Sequence, residues 1–261
     1  MIKNVENAIY MKTGKYIPFT HGLWTDTFKL FEKGVNRHKI DLSSDLSELY
    51  VESPGPQIKS KIAVIISNPP WRAGKENENI GKKNNIYKDI RKKIFETYVK
   101  NAKGLGVTYV SSLYDLYFHA LRLATDIIDE GVIGFVVNSG WLYGLTGRGV
   151  RKSLEDEFEE IYVYDLLGNA RTSTERRKLE GENVFGNQSM AGVCLLFLVK
   201  KKNKQGPGKI FYKRIKEYAK LEEKFEELKY WENNLENIPW QEIIPNKYHD
   251  WINQGEDEFE N

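Results

Sequence analysis

The stretch that most constrains this chain is Ala63-Val64-Ile65-Ile66-Ser67-Asn68-Pro69-Pro70-Trp71. Its apolar run reads as a buried strand, and the two prolines end that strand abruptly. Proline has no N–H and a fixed φ, so the Pro69-Pro70 step cannot join a strand ladder. The carbonyls of Asn68 and Pro69 and the Asn68 side-chain oxygen are then left as acceptors at the strand end. In open α/β sheets that end is where ligands bind. Acceptors converging on one amino group hold it through its N–H bonds, and Trp71 adds a flat surface on which a base can stack. The set suits a planar exocyclic amine such as N6 of adenine.

A chain of 261 residues can bury one sizeable core with an appendage. Its 39 Lys and Arg against 37 Asp and Glu leave a net charge of +2. No global cationic field announces nucleic acid, so any such contact must rest on local patches. Cys194, the one cysteine, lies in the apolar run Val193 to Val199 and reads as a buried strand residue in a reducing compartment. With one Cys and four scattered His there is no zinc spacing, and no metal is expected. The N-terminus carries no signal-like hydrophobic region, and no apolar run approaches the roughly 20 residues of a membrane span. A cytoplasmic protein without a membrane partner is the expectation.

Taken in order, residues 1–60 form an N-terminal segment of mixed composition. It contains no G-x-G, the Gly-rich turn with which a cofactor-binding α/β domain normally begins. Ser53-Pro54-Gly55-Pro56 is a loop by composition. Residues 61–214 read as the catalytic core. After Trp71, the run from Arg72 to Asn85 is a polar loop in which Arg72, Lys75, Lys82 and Lys83 either meet phosphates or are simply solvated. Tyr87 to Lys100 reads as a helix and Asn101 to Tyr109 as a loop. Leu113, Leu116, Tyr117, Ala120, Leu121, Ala124, Ile127 and Ile128 follow helical spacing, so one helix is expected from Leu113 to Ile128. Strands are expected over Val132 to Val137, Ile161 to Leu166, Gly192 to Lys200 and Lys209 to Arg214, with a helix over Arg148 to Phe158. Thr172 to Asn187 is polar and basic. Residues 215–261 read as a charged helix, Ile215 to Trp231, and a tail whose Trp240, Tyr248 and Trp251 call for a packing partner.

In this order the motifs resemble a known family. Asn-Pro-Pro-aromatic after an apolar strand is similar to the signature of S-adenosylmethionine-dependent amino-methyltransferases, chiefly the N6-adenine DNA enzymes. Ser112-Leu113-Tyr114-Asp115, Gly131-Val132-Ile133-Gly134-Phe135, the run Val163 to Arg171 and the Trp240-x-x-Ile243-x-Pro245 segment extend the likeness over roughly residues 20 to 254. The whole resembles the methyltransferase region of type ISP restriction-modification enzymes.

The resemblance implies a Rossmann-like α/β methyltransferase sheet lacking its first strands, with S-adenosylmethionine as cofactor and double-stranded DNA as partner. It implies that Asn68, Pro69 and Pro70 hold the target amine and that Trp71 stacks on the flipped base. Asp26, Ser67, Leu113 and Tyr114 fall at cofactor-binding positions, and Asn169 and Arg72 at substrate-binding ones. Each has a plainer reading. Asn68 is then a turn residue, Trp71 core packing, Asp26 a solvated loop acid, Tyr114 a helix-start residue, Asn138 a strand-end turn, and Asn169 with Arg171 a surface turn. Two departures matter: the Gly-rich cofactor turn upstream and the target-recognition domain downstream are missing. The resemblance therefore implies the middle of such an enzyme, completed by an upstream methyltransferase half or a recognition subunit. Two other functions stay open. One is a non-catalytic DNA- or subunit-binding fragment, and the other is methylation of RNA bases or of glutamine in protein.

Overall fold

The computed structural model describes residues 2–18, 28, 61–71 and 87–254. The chain divides into two compact units, Met1–Ser60 and Lys61–Asn261. In the first, helix α1 (Ile2–Thr13) is the described element. The expectations placed on Asp26, on the Ser53–Pro56 loop and on the basic run from Arg72 to Asn85 lie outside the described residues.

The second unit is built on a six-stranded sheet of order β1-β2-β4-β3-β5-β6. The strands are β1 (Val64–Ser67), β2 (Gly131–Asn138), β3 (Glu160–Leu167), β4 (Val193–Lys200), β5 (Lys209–Arg214) and β6 (Gln241–Ile243). β1 runs parallel to β2, and β5 parallel to β3, while β4 is antiparallel to both β2 and β3. The carboxyl ends of β1, β2, β3 and β5 therefore share one rim with the start of β4. That rim gathers Asn68, Asn138, Gly168 and Arg214.

Strand alternation puts Ile133, Phe135 and Val137 on one face, in register with Leu198, Leu196 and Cys194 and then with Ile161, Val163 and Asp165. All nine are at most 3% exposed. The helical layer comprises α2 (Lys88–Ile94), a π-helical turn (Phe95–Val99), α3 (Lys100–Gly104), α4 (Leu116–Ile127), α5 (Gly140–Tyr143) and α6 (Arg148–Glu157). α6 approaches the π turn so closely that a Cβ on Gly149 would lie 2.0 Å from the Tyr98 carbonyl oxygen, which only glycine avoids. Arg122 of α4 ties the layer together, bonding Asp126 at 2.6 Å and Glu157 at 2.7 Å.

Several elements differ from the sequence expectation. The helix expected from Ile215 starts only at Leu221, because β5 runs to Arg214 and the Ile215 N–H still donates to the Asp165 carbonyl, and the loop expected from Asn101 is helical through Gly104. The helix expected from Leu113 is interrupted: Ser111–Tyr114 is a 3₁₀ turn, and Asp115 is extended (φ −64°, ψ 148°) before α4 begins. The apolar spacing runs through both pieces because both pack on the same core, Leu113 being fully buried. The strand expected to be buried, β1, is instead half-open, with Val64 61% and Ile66 83% exposed. Apolar composition reports a tendency to be covered; among the described residues β1 is an edge strand. Ile66 pairs across to Gly134, and Gly134 to Phe197, itself 39% exposed. Val64, Ile66, Val132 and Phe197 thus make an open apolar patch on the second face of the sheet.

The rest of that face is covered. Tyr164, Leu166, Leu167, Val193 and Ile215 form its core, and Leu228 and Trp231 of α8 (Leu221–Glu232), Trp240, Phe185 and Trp71 pack on it. The tail aromatics find partners as their composition suggested. Trp240 meets Tyr162 edge-on at 5.2 Å, Trp251 meets Trp141 at 5.6 Å, and Tyr248 lies under the Arg148 guanidinium at 4.7 Å.

The tail is also held by charge. Asp250 accepts from Arg148 and Arg151 at 2.6 Å each, and Glu155 accepts from the Trp251 indole at 2.6 Å. Burial alone would raise the Asp250 carboxyl, but the Arg148 hydrogen bond and the Arg151 charge outweigh it and hold it below the usual carboxylate range. A carboxylate with a depressed folded pKa stabilises above its unfolded pKa, about 3.9, and that contribution is lost as pH falls through the folded value. Acid below about pH 4 is therefore expected to release the segment around Asp250. Trp251 fluorescence followed against pH checks this, and Asp250→Asn is expected to show the released signal already at neutral pH.

Candidate functional site

Strand register explains how the Asn68-Pro69-Pro70-Trp71 corner is made. The Val132 N–H donates to the Ala63 carbonyl at 2.8 Å, so alternate residues of β2 face β1. Continuing that ladder, the Val136 carbonyl faces the nitrogen of residue 69. That residue is proline and has no proton to give. The orphaned carbonyl is taken by the Trp71 indole, whose Nε1–H donates to it at 3.2 Å. The two prolines end the strand, and the indole closes the ladder they break. Trp71 is then fixed from a second side by Phe185, edge-on at 5.2 Å.

The corner leaves Asn68 outside. Its side chain is exposed, and it has no hydrogen-bond partner among the described residues. Pro69 is buried and Pro70 exposed, so one proline seats the turn while the other fronts the rim. The amide therefore stands exposed at the strand end, without a hydrogen bond from the described residues. Trp71 packs on the core, the plainer of its two expected roles, and is half-buried beside Asn68.

A second part of the rim is the loop after β3. Leu167 and Gly168 both take positive φ, 57° and 86°, which turns the chain sharply off the strand. Asp165 prepares that turn. It is fully buried, accepts from the Leu167 N–H at 3.1 Å and from the Tyr212 hydroxyl at 2.9 Å, and also binds the Tyr143 hydroxyl. Burial raises its carboxyl above the usual range, opposed by these donors and by Arg214. The Asn183 amide, 8% exposed, donates to the Gly168 carbonyl at 2.9 Å and the Ala191 carbonyl at 2.8 Å, and its oxygen accepts from the Phe185 N–H. One buried side chain thus fixes the loop that carries Phe185 to the loop that carries Asn169.

Asn169 itself accepts from the Arg171 N–H at 3.0 Å, and its backbone N–H donates to Glu180. Asn138 likewise accepts from the Gly140 N–H at 2.7 Å and opens α5. Both are strand-end turns. A cleft of about 640 Å³ lies alongside, lined by Gly168, Ala170, Arg177, Asn183, Asn187 and Ser189 among others. Of the remaining candidates, Ser67 ends β1 opposite Phe135, Leu113 is wholly buried, and the Tyr114 ring sits under the Arg91 guanidinium at 4.4 Å. Asp26 and Arg72 lie outside the described residues. Sequence reading missed Phe185, Asp165 with its two tyrosines, and Asn183. Only the run Asn183-Val184-Phe185 before an apolar strand offered a hint.

Comparison with known proteins follows the same outline. The family described as Eco57I restriction-modification methylase matches residues 17–171. Three solved structures are similar over nearly the whole chain. A nuclease-deletion mutant of the type ISP restriction-modification enzyme LlaGI, in complex with a DNA substrate mimic, is 33% identical with a TM-score of 0.83, covering 99% of this chain and 20% of that one. The ATP-dependent type ISP enzyme LlaBIII bound to DNA is 33% identical at 0.83, covering 98% and 17%. The DrdV–DNA complex is 34% identical at 0.79, covering 98% and 24%. The chain therefore spans about a fifth of the length of these relatives. No curated protein matches it. The expected methyltransferase-type α/β sheet is the fold it shares with them.

Proposed function

The chain belongs to the Eco57I restriction-modification methylase family, and from that membership we propose that it carries the target-base site of an adenine-N6 DNA methyltransferase. The observation that carries the reading is Asn68, an exposed amide at the carboxyl end of β1 with no hydrogen-bond partner among the described residues. Its oxygen and the Pro69 carbonyl accept from the two N–H bonds of the exocyclic amine. Held that way, the amine turns its lone pair out of conjugation with the ring. The work is positioning rather than proton abstraction. Bound S-adenosylmethionine would supply an electrophilic methyl carbon on a positive sulfonium and leave as the neutral thioether S-adenosylhomocysteine, and the methylated amine would then give up one N–H proton to solvent.

N6 lies inside the duplex, so the base is flipped out, at a cost of a few kcal/mol. Stacking returns about 1–3 kcal/mol. Trp71 is one wall for that base. Phe185, held edge-on to Trp71, is a second aromatic surface at the same place. Adenine is taken as the base from the likeness of the Asn68–Trp71 motif to the N6-adenine enzymes.

For the cofactor the fit is partial. By the motif resemblance Ser67 and Tyr114 are its proposed contacts, but the sequence has no G-x-G turn before Asn68. The open patch of Val64, Ile66, Val132 and Phe197 favours a completing part, an upstream methyltransferase half that covers this sheet face and brings the cofactor turn. A chain working only as a non-catalytic fragment is the second reading that this patch supports.

Isothermal titration with S-adenosylmethionine separates the two. Binding by the chain alone, or binding restored when an upstream methyltransferase fragment is added, is expected. No binding in either case contradicts the enzymatic reading. Labelled-methyl transfer offered DNA, RNA and protein in parallel is expected to favour DNA.

A further inference from the structure

The chain is almost neutral, yet Arg171, Arg176, Arg177 and Lys178 fall within eight residues that hold one acid, Glu175. They lie on and just before α7 (Thr174–Glu180). All four are exposed. Arg176 has a distant contact with Glu180 at 4.0 Å, while Arg171, Arg177 and Lys178 have no carboxylate partner among the described residues. A run of charge is usually just a solvated face, so its placement decides the matter.

Three features set this one apart. It is anchored: the buried Glu180 carboxylate accepts from the Asn169 N–H at 3.0 Å, and the fully buried Lys224 ammonium donates to the carbonyls of Leu166 at 2.8 Å and Glu180 at 3.1 Å. It borders a cavity, since Arg177 lines the 640 Å³ cleft with Asn187 and Ser189. It also shares the rim with Asn68. β3 stands three strand spacings from β1, about 14 Å, a span of a few nucleotides along a splayed strand. Arg214, on the same rim, is hydrogen-bonded to Tyr212 at 2.9 Å, and Arg176 lies 6.0 Å over the Tyr143 ring beside it.

We infer that the segment Arg171 to Lys178, together with the cleft that Arg177 lines, binds the phosphodiester backbone of the strand flanking the extruded base. The inference rests on the methyltransferase reading for the place of the base, but not for the chemistry. The anchoring matters because an ordered cation row loses less entropy on binding than a mobile one. The Arg177 guanidinium and the Asn187 amide at the cleft suit phosphate and sugar oxygens, while the Asn183 amide is engaged with the Gly168 and Ala191 carbonyls and shapes the wall.

The test is fluorescence anisotropy of the full chain with an end-labelled duplex across a salt series. Each phosphate contact contributes about 0.9 to the slope of log affinity against log salt. The variant Arg171→Ala/Arg177→Ala/Lys178→Ala is expected to lower the slope by about 2.7, which removes roughly 40-fold of the affinity change between about 50 and 200 mM salt. The control Lys201→Ala/Lys202→Ala/Lys204→Ala removes equal charge at the opposite rim and is expected to leave the slope unchanged. A slope unaltered in the first variant, or lowered equally in the control, overturns the inference. So does polyglutamate competing as well as DNA at equal charge. If the slope behaves as expected but no methyl is transferred, the inference stands and the methyltransferase reading falls. If the chain binds no duplex at all, both fall.

Discussion

Asn68→Ala is expected to lower methyl transfer by about 100- to 1,000-fold, the usual loss when one positioned polar group at a reacting centre is removed. The physical reason is local. The amine is a poor nucleophile while its lone pair is delocalised, and two acceptors are needed to hold both N–H bonds. Removing the amide oxygen leaves the Pro69 carbonyl alone, and the amine swings back into conjugation. Because the exposed side chain has no hydrogen-bond partner among the described residues, the variant is expected to fold as the parent does. Duplex affinity is expected to stay within about twofold, so the loss falls on kcat rather than on binding. Single-turnover transfer with pre-bound DNA reads that difference.

Arg151→Ala is expected to produce the largest loss of stability, about 3–5 kcal/mol, as when one partner of a buried charge network is removed. Domains are stable by only about 5–15 kcal/mol. The Arg151 side chain is 1% exposed and uses its whole fork. It donates to the carbonyls of Trp141 at 2.5 Å, Leu142 at 3.1 Å and Gly144 at 3.1 Å, to the His249 carbonyl at 2.7 Å and to Asp250 at 2.6 Å. The first two are carbonyls in the last turn of α5, which have no intrahelical partner, and the Gly144 carbonyl lies just beyond it and also accepts from the Gly147 N–H at 3.1 Å. Arg151→Lys is expected to recover little, since one ammonium cannot reach carbonyls on two sides. The effect should extend to the site. α5 carries Tyr143, Tyr143 binds Asp165, and Asp165 sets the turn at Leu167. Urea unfolding midpoints of the three proteins check the magnitude; a loss below about 1 kcal/mol would mean that the tail is not held this way.

How much of this the sequence already carries depends on the range of the interactions. The strands β2 to β5 are legible because their apolar runs are bounded by glycine or charge. The Asn68 corner is legible because the missing N–H of proline is a local fact. The break at Asp115 is not, since the same apolar spacing serves a 3₁₀ turn and a helix that share one core. The exposure of Ile66 is not legible either, because composition does not reveal whether a neighbour is present to cover it. The Asp165–Tyr143–Tyr212 cluster and the Arg151 fork join residues up to 99 positions apart, and only the fold brings them together. Phe185 belongs with these, since its role depends on Asn183 fixing the loop that lays it against Trp71.

The central claim is that the Asn68 corner presents an adenine amine for methylation. Its most direct test is the nucleoside product. The chain, alone and with an upstream methyltransferase fragment, is incubated with labelled S-adenosylmethionine and genomic DNA, and the digested nucleosides are separated by mass. The account predicts label in N6-methyladenine, lost in Asn68→Ala. Label in a methylated cytosine, or in N6-methyladenine undiminished by Asn68→Ala, would contradict it.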